Sequence, residues 1–165
     1  MTEMDADLVR QSAATLAGAI AAGEVSAHVV RAGIEPAVVY PNGNKVFYLA
    51  QGTETQGTFG LYRWDMGPEP GGANAHYHRR FSESFFVLTG TVKLYDGTGW
   101  FDARPHDFAY VPEGGLHGFR NESGEPASLL ILFAPGAPRE AYFEGLVEMA
   151  EGRWKPSQEE LQAFF

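Results

Sequence analysis

The sequence predicts an all-β barrel or sandwich with a helical arm at its N-terminal end and helices at its C-terminal end. Three observations predict it. Between residues 45 and 134, short apolar runs succeed one another with no helical period between them. Each run is bounded by Gly, Pro, Asn or Asp, and the chain carries 20 Gly and 10 Pro. Aromatic residues make up 13% of the chain, and such side chains suit a half-buried pleated surface.

At 165 residues the chain has the length of one domain and can bury a core without staples. Val9, Ala13, Leu16 and Ile20 fall on one helix face, and Gly23 ends that helix. A shorter helix is expected over 24–32, stopped by Gly33. Pro36 and Pro41-Asn42-Gly43 then break the period, so the arm spans 1–40. Strands are expected over 45–50, 58–66, 83–89, 91–95, 99–103, 107–112, 118–121 and 127–134, within a body spanning 41–136. The last of these is apolar on both faces, which predicts burial on both sides, in a dimer interface or under the arm. After Pro135-Gly136-Ala137-Pro138 the helical spacing returns. Tyr142, Leu146 and Met149 lie beside Phe143, Val147 and Ala150, giving a wide apolar face. A last helix starts at Ser157, with Glu160 completing a capping box, in a tail spanning 137–165.

Charge and composition exclude several classes. The formal net charge is -9 and the pI about 4.9, so nucleic acid and anionic membrane surfaces are repelled. Arg79-Arg80 is the longest basic run. No cysteine is present, which removes disulfides, thiolate metal sites and cysteine nucleophiles together. No basic n-region precedes an apolar stretch, and no apolar tract is long enough to span a bilayer; a cytoplasmic protein is expected.

The chemistry concentrates in two places. His76 and His78 are two residues apart, which on a strand puts both imidazoles on one face and Tyr77 on the other. Glu83 opens the next apolar run and Gly90 closes it. His117 follows the turn Pro112-Glu113-Gly114, with Asn121 beyond it. Neutral imidazoles suit first-row divalent metals, and a carboxylate compensates charge. Any single His-x-His pair is more often an exposed strand feature than a site; the joint pattern decides.

That joint pattern resembles the cupin superfamily. The first motif of that family is matched by His76, His78, Glu83 and Gly90, the second by Pro112, Gly114, His117 and Asn121, all at the family's spacings. Two glycines of the pattern are replaced, one by Pro70 with Gly71 adjoining, the other by His106. The second position is a turn, where His tolerates left-handed geometry. The resemblance implies a small β-barrel of two antiparallel sheets, of the double-stranded β-helix or jelly-roll type, with a metal inside one end. It implies His76, His78, Glu83 and His117 as ligands of one divalent ion (Fe, Mn, Ni, Co, Cu or Zn), and a homodimer. Residues 58–68 and 141–150 look like those of the small quercetinase-like dioxygenases within that superfamily.

The activity so implied is a dioxygenase acting on a small aromatic or enolisable substrate, with dioxygen as co-substrate and Glu83 as general base. Phe85 and Val87 share the parity of Glu83, Phe119 shares that of His117, and Tyr62 and Trp64 alternate on the preceding strand. These five form either an apolar box for a planar ligand or plain barrel core, and core is the commoner fate of such residues. Two other classes compete: a non-redox metal enzyme (isomerase, decarboxylase or lyase) and a non-enzymatic ligand-binding protein. One fold hosts many chemistries. A DNA-binding regulator is disfavoured by the short arm and the charge.

Overall fold

The computed structural model describes residues 26–164. The helix expected from Val9 to Ile20 lies outside them. Residues 34–164 belong to one compact unit, and 26–33 precede it. The helix expected over 24–32 is corrected in its described part: residues 26–32 carry none. The Val29-Val30 pair is a poor helix former, and a segment of two turns needs packing that the 61% exposure of Val29 shows it lacks.

Ten strands follow in chain order: β1 (Val38–Val39), β2 (Lys45–Ala50), β3 (Gly60–Met66), β4 (Gly71–His76), β5 (Ser82–Thr89), β6 (Val92–Tyr95), β7 (Trp100–Ala103), β8 (Phe108–Val111), β9 (His117–Asn121) and β10 (Ala127–Ala134). Two helices close the chain, α1 (Glu140–Ala150) and α2 (Gln158–Phe164). The strands build two antiparallel sheets, one ordered β1-β2-β3-β10-β5-β8 and the other β4-β9-β6-β7. This is the two-sheet barrel the sequence implies. The eight expected strands are present, with ends moved by two residues at most.

Strand alternation decides what the sheets enclose. In β3, Tyr62, Trp64 and Met66 turn inward; in β5, Glu83, Phe85 and Val87 do; in β10, Leu129, Ile131 and Phe133 do. They pack with Val92, Leu94 and Phe119 of the smaller sheet into one buried cluster. The outer face of β10 is half-buried rather than buried, a difference from the two-sided burial expected of it.

β1 and β4 have no counterpart in the sequence prediction. β4 reads Gly-Gly-Ala-Asn-Ala-His and lacks the branched and aromatic residues that mark strands. Its glycines exist for a close approach. A Cβ on Gly72 (φ 142°) would sit 2.1 Å from the Phe119 carbonyl oxygen on β9.

Helix α1 packs its apolar row against the barrel, with Phe143 buried. Three hydroxyls tie it down. Tyr40 donates to the Phe143 carbonyl (3.2 Å), Tyr48 to the Glu140 carbonyl (3.4 Å) and Tyr62 to Glu140 Oε1 (2.6 Å). Burial pushes all three phenols above the ordinary tyrosine range. At α2 the expected capping box is formed: the Ser157 amide donates to Glu160 Oε2 (2.7 Å), and the Glu160 amide to Ser157 Oγ (3.3 Å). Among the described residues no helix is long and apolar enough to cross a membrane.

Candidate metal centre

His76 is the last residue of β4, and a bulge puts it there. Ala73 pairs with Phe119, but His76 pairs with His117, so the register slips by one residue between them. Ala73 and His76 are an odd number of residues apart and would otherwise face opposite sides. The bulge turns both inward and sets His76 across from His117. His78 lies just past the strand end, not on it, yet its ring still reaches that of His76 at 4.8 Å between centroids. Tyr77 turns outward and is half exposed.

His117 is positioned by the turn before it. The Gly115 amide donates to the Pro112 carbonyl at 2.9 Å, and Gly114 sits at φ 77°, the geometry of a type II turn with glycine at its third place. The Gly114 amide donates to the His78 carbonyl (2.7 Å), tying this turn to the first histidine segment. Glu83 enters from β5, fully buried between β8 and β10.

The four side chains His76, His78, Glu83 and His117 each bring a ligand atom within 4.8 Å of all the others. His76 Nδ1 meets the Asn74 carbonyl at 2.7 Å and His117 Nδ1 meets the Gly115 carbonyl at 2.8 Å. A carbonyl only accepts, so each Nδ1 carries the hydrogen and Nε2 is left as the coordinating atom. His78 Nε2 is buried and stands 3.1 Å from Glu83 Oε2, out of line for a hydrogen bond. His117 Nε2 faces Glu83 Oε2 at 2.8 Å. With Nδ1 already a donor, that contact sets two acceptors face to face unless a proton or a metal lies between them. The donor set therefore fits one divalent ion.

The electrostatics agree. Burial lowers the pKa of His76 and keeps its imidazole neutral. Burial opposes ionisation of Glu83, but the His117 bond and the neighbouring His78 outweigh it and hold the carboxyl below the usual range. Burial likewise opposes charge on His117, and Glu83 outweighs it, raising the imidazole pKa.

A cavity of about 590 Å³ opens beside the cluster, with His76, His78 and Glu83 in its wall. Of the five residues expected to form an apolar box, Trp64 and Phe119 line it. Tyr62, Phe85 and Val87 lie in the buried core and are not brought to the cavity wall, because strand parity fixes a residue's face but not its height along the strand. Tyr62 instead braces α1. The other walls come from residues to which the sequence reading gave no site role: Tyr40 and Asn42 before β2, and Arg139, Tyr142, Phe143 and Leu146 at α1. The signal present for the last three was the apolar row of α1. His106, in place of a family glycine, adopts φ 77° and stands outside the cluster. Asn121 is fully buried and bonded to Gly67, Ser123 and Glu125, so its Asn-x-Ser pattern marks a brace, not a glycosylation site.

Within this two-sheet barrel, where three imidazoles and a carboxylate converge, residues 62–133 match the family described as the cupin domain. That segment runs from β3 to β10 and contains all four candidate ligands. It is 37% identical over 60 residues to an uncharacterised protein of Aquifex aeolicus (strain VF5), covering 36% of this chain and 49% of that one. The chain thus matches about half the length of that relative. Among solved structures, KdgF from a Halomonas species superposes with a TM-score of 0.56 at 16% identity, over 66% of this chain and 94% of that one. A predicted oxalate decarboxylase from Thermotoga maritima gives a TM-score of 0.57 at 18% identity, over 66% and 99%. A protein described as a sugar phosphate isomerase from Silicibacter pomeroyi gives a TM-score of 0.53 at 25% identity, over 66% and 75%. The first two establish likeness of fold.

Proposed function

We propose that this protein is a metal-dependent dioxygenase acting on a small aromatic or enolisable molecule, in the manner of quercetin 2,3-dioxygenase-like cupins. The observation that supports the reading is the convergence of four donor atoms within 4.8 Å of one another, with His76, His78 and Glu83 in the wall of a 590 Å³ cavity with aromatic sides. An ion held by His76, His78, His117 and Glu83 supplies a Lewis acid for a substrate oxygen and, when redox-active, an electron path to dioxygen. Trp64 and Phe119 meet edge to face at 5.3 Å and offer an apolar aromatic corner to a planar substrate. Glu83, held ionised, takes up the acidic proton of an enol or α-carbon at a carboxylate oxygen. Buried Ile131 and Phe133 in the cavity wall keep bulk water from the charge that develops. Oxygen uptake with flavonols and 1,3-diketones, on protein loaded with each divalent metal in turn, tests the reading. No uptake with any of them overturns it.

A second reading is a non-redox metal enzyme. The likeness at 25% identity to a protein described as a sugar phosphate isomerase favours it, and turnover in the absence of oxygen identifies it. We also propose a homodimer through the outer face of the larger sheet. There Leu130, Phe86 and Phe108 lie side by side on β10, β5 and β8, with Phe108 and Tyr110 exposed at 64% and 62% on an edge strand.

A further inference from the structure

We propose that Arg139 is the anion anchor of the cavity, so that the molecule bound beside His76, His78 and Glu83 carries a carboxylate. The inference deepens the substrate reading above and rests on it. Arg139 immediately precedes α1, and the tyrosine bonds that hold α1 fix where it starts. Its guanidinium carbon lies 3.9 Å from the Tyr142 ring centre, 5.3 Å from that of Phe133 and 5.6 Å from that of Phe81. Phe81 in turn stacks on the His78 ring at 4.2 Å. The cation therefore stands one ring away from the candidate metal ligands, on the wall of the same cavity.

Among the described residues its charge has no counter-ion. Arg63, Arg120 and Arg153 each meet a carboxylate, on Asp65, Glu122 and Glu148. Among the described residues no carboxylate lies within ion-pair distance of Arg139, whose side chain instead meets the Tyr142 hydroxyl and ring. Ring faces and the Tyr142 hydroxyl offset only part of the cost of a half-buried cation, and an anion in the cavity would supply the charge they lack. A planar fork of N–H groups matches a carboxylate by two parallel bonds. Among the described residues lining the cavity, Arg139 is the one permanent cation, which suits a single negative charge better than a phosphate dianion. A ligand reaching from Arg139 to the metal cluster places its carboxylate at the first and an enol or hydroxyl oxygen at the second.

Calorimetry with phenylpyruvate, its methyl ester and phenyl phosphate tests this on zinc-loaded and metal-free protein, with metal content measured beside it. The acid is expected to bind at least about tenfold more tightly than the ester in both forms. Arg139→Gln should remove that preference and keep the metal, and Arg139→Lys should recover part of it, which excludes misfolding as the cause. Equal binding of acid and ester, a preference that survives Arg139→Gln, or tighter binding of phenyl phosphate overturns the anchor. Wild-type protein that takes up no divalent ion overturns the metal reading instead, and the metal-free arm still decides on Arg139.

Discussion

His117 Nε2 and Glu83 Oε2 lie 2.8 Å apart, both side chains buried, while His117 Nδ1 is already committed to the Gly115 carbonyl. The contact closes only around a positive charge. In metal-free protein that charge is a proton; His117 and Glu83 would hold a metal in its place in the loaded protein. Glu83→Gln tests both halves. The amide keeps the shape and loses the charge. The expected outcomes are a fall in metal affinity of at least about 10–100-fold and a loss of roughly 1.5–3 kcal/mol from the metal-free protein. Elemental analysis after dialysis and urea melts read the two effects. If the variant keeps both metal and turnover, Glu83 is not the base.

The same pair sets a pH dependence for loading. The His117 pKa is raised above the ordinary 6.5 by Glu83, so in metal-free protein a proton occupies Nε2 at pH values where a free imidazole has lost it. A metal must displace that proton. Apparent affinity should therefore decline as pH falls, beginning above 6.5, with a proton released on binding. His76 adds no such competition, because burial lowers its pKa. Titrations with zinc in buffers of different ionisation enthalpy count the released proton. An affinity flat from pH 8 to 6 would contradict the bridged geometry (about these values, given the ordinary imidazole range).

Backbone packing between β4 and β9 yields a third prediction. A methyl on Gly72 would meet the Phe119 carbonyl at 2.1 Å and Arg120 Cα at 2.5 Å. Gly124 has a left-handed φ of 75° with nothing within 4 Å of its missing Cβ. Gly124→Ala should cost about 1–2 kcal/mol, the left-handed penalty alone. Gly72→Ala should cost more than about 3 kcal/mol and also lose metal, since the strand that carries His76 must move. Thermal melts with and without metal separate a local cost from a displaced ligand.

These contrasts show what the sequence could reveal. The inward positions of β3, β5 and β10 were legible because period-two alternation maps directly onto a sheet's faces. The metal cluster was legible because its members sit at fixed spacings beside a Pro-x-Gly turn. β4 was not, because its small residues serve a close backbone contact, and a bulge breaks the very parity from which facing is read. The cavity wall at α1 was half legible. The row of Tyr142, Phe143 and Leu146 announces a buried face, but only tertiary packing says that the face covers the open end of a site.

The proposed dimer makes a fourth prediction. Leu132 lies on the outer face of β10, one strand from Ser84 and two from Tyr110. Leu132→Glu puts a charge into that apolar face. Wild-type protein should sediment as a dimer and the variant as a monomer with unchanged metal content. A monomeric wild type removes the interface.

The docking of α1 supplies the last. Tyr40, Tyr48, Tyr62 and Tyr142 all have phenol pKa values raised above 10.0, with burial the largest cause and neighbouring charges smaller ones. A group whose pKa is raised on folding contributes its full stability below the unfolded value and loses it as pH climbs towards the folded one. Below pH 10.0 these four residues therefore cost nothing; above it the unfolded chain ionises them while the folded chain must hold them neutral. Each unit of pH then removes up to about 1.4 kcal/mol per tyrosine. Stability should drop steeply above that point, with tyrosinate absorbance appearing together with loss of helix signal rather than before it. Tyr62→Phe cuts the bond to Glu140 and one ionisable group at once. It should lower stability at neutral pH by about 1–2 kcal/mol and flatten the alkaline fall by the share of one tyrosine. Were tyrosinate to form in the folded protein with α1 in place, the hydroxyl clamps on that helix would be absent in solution.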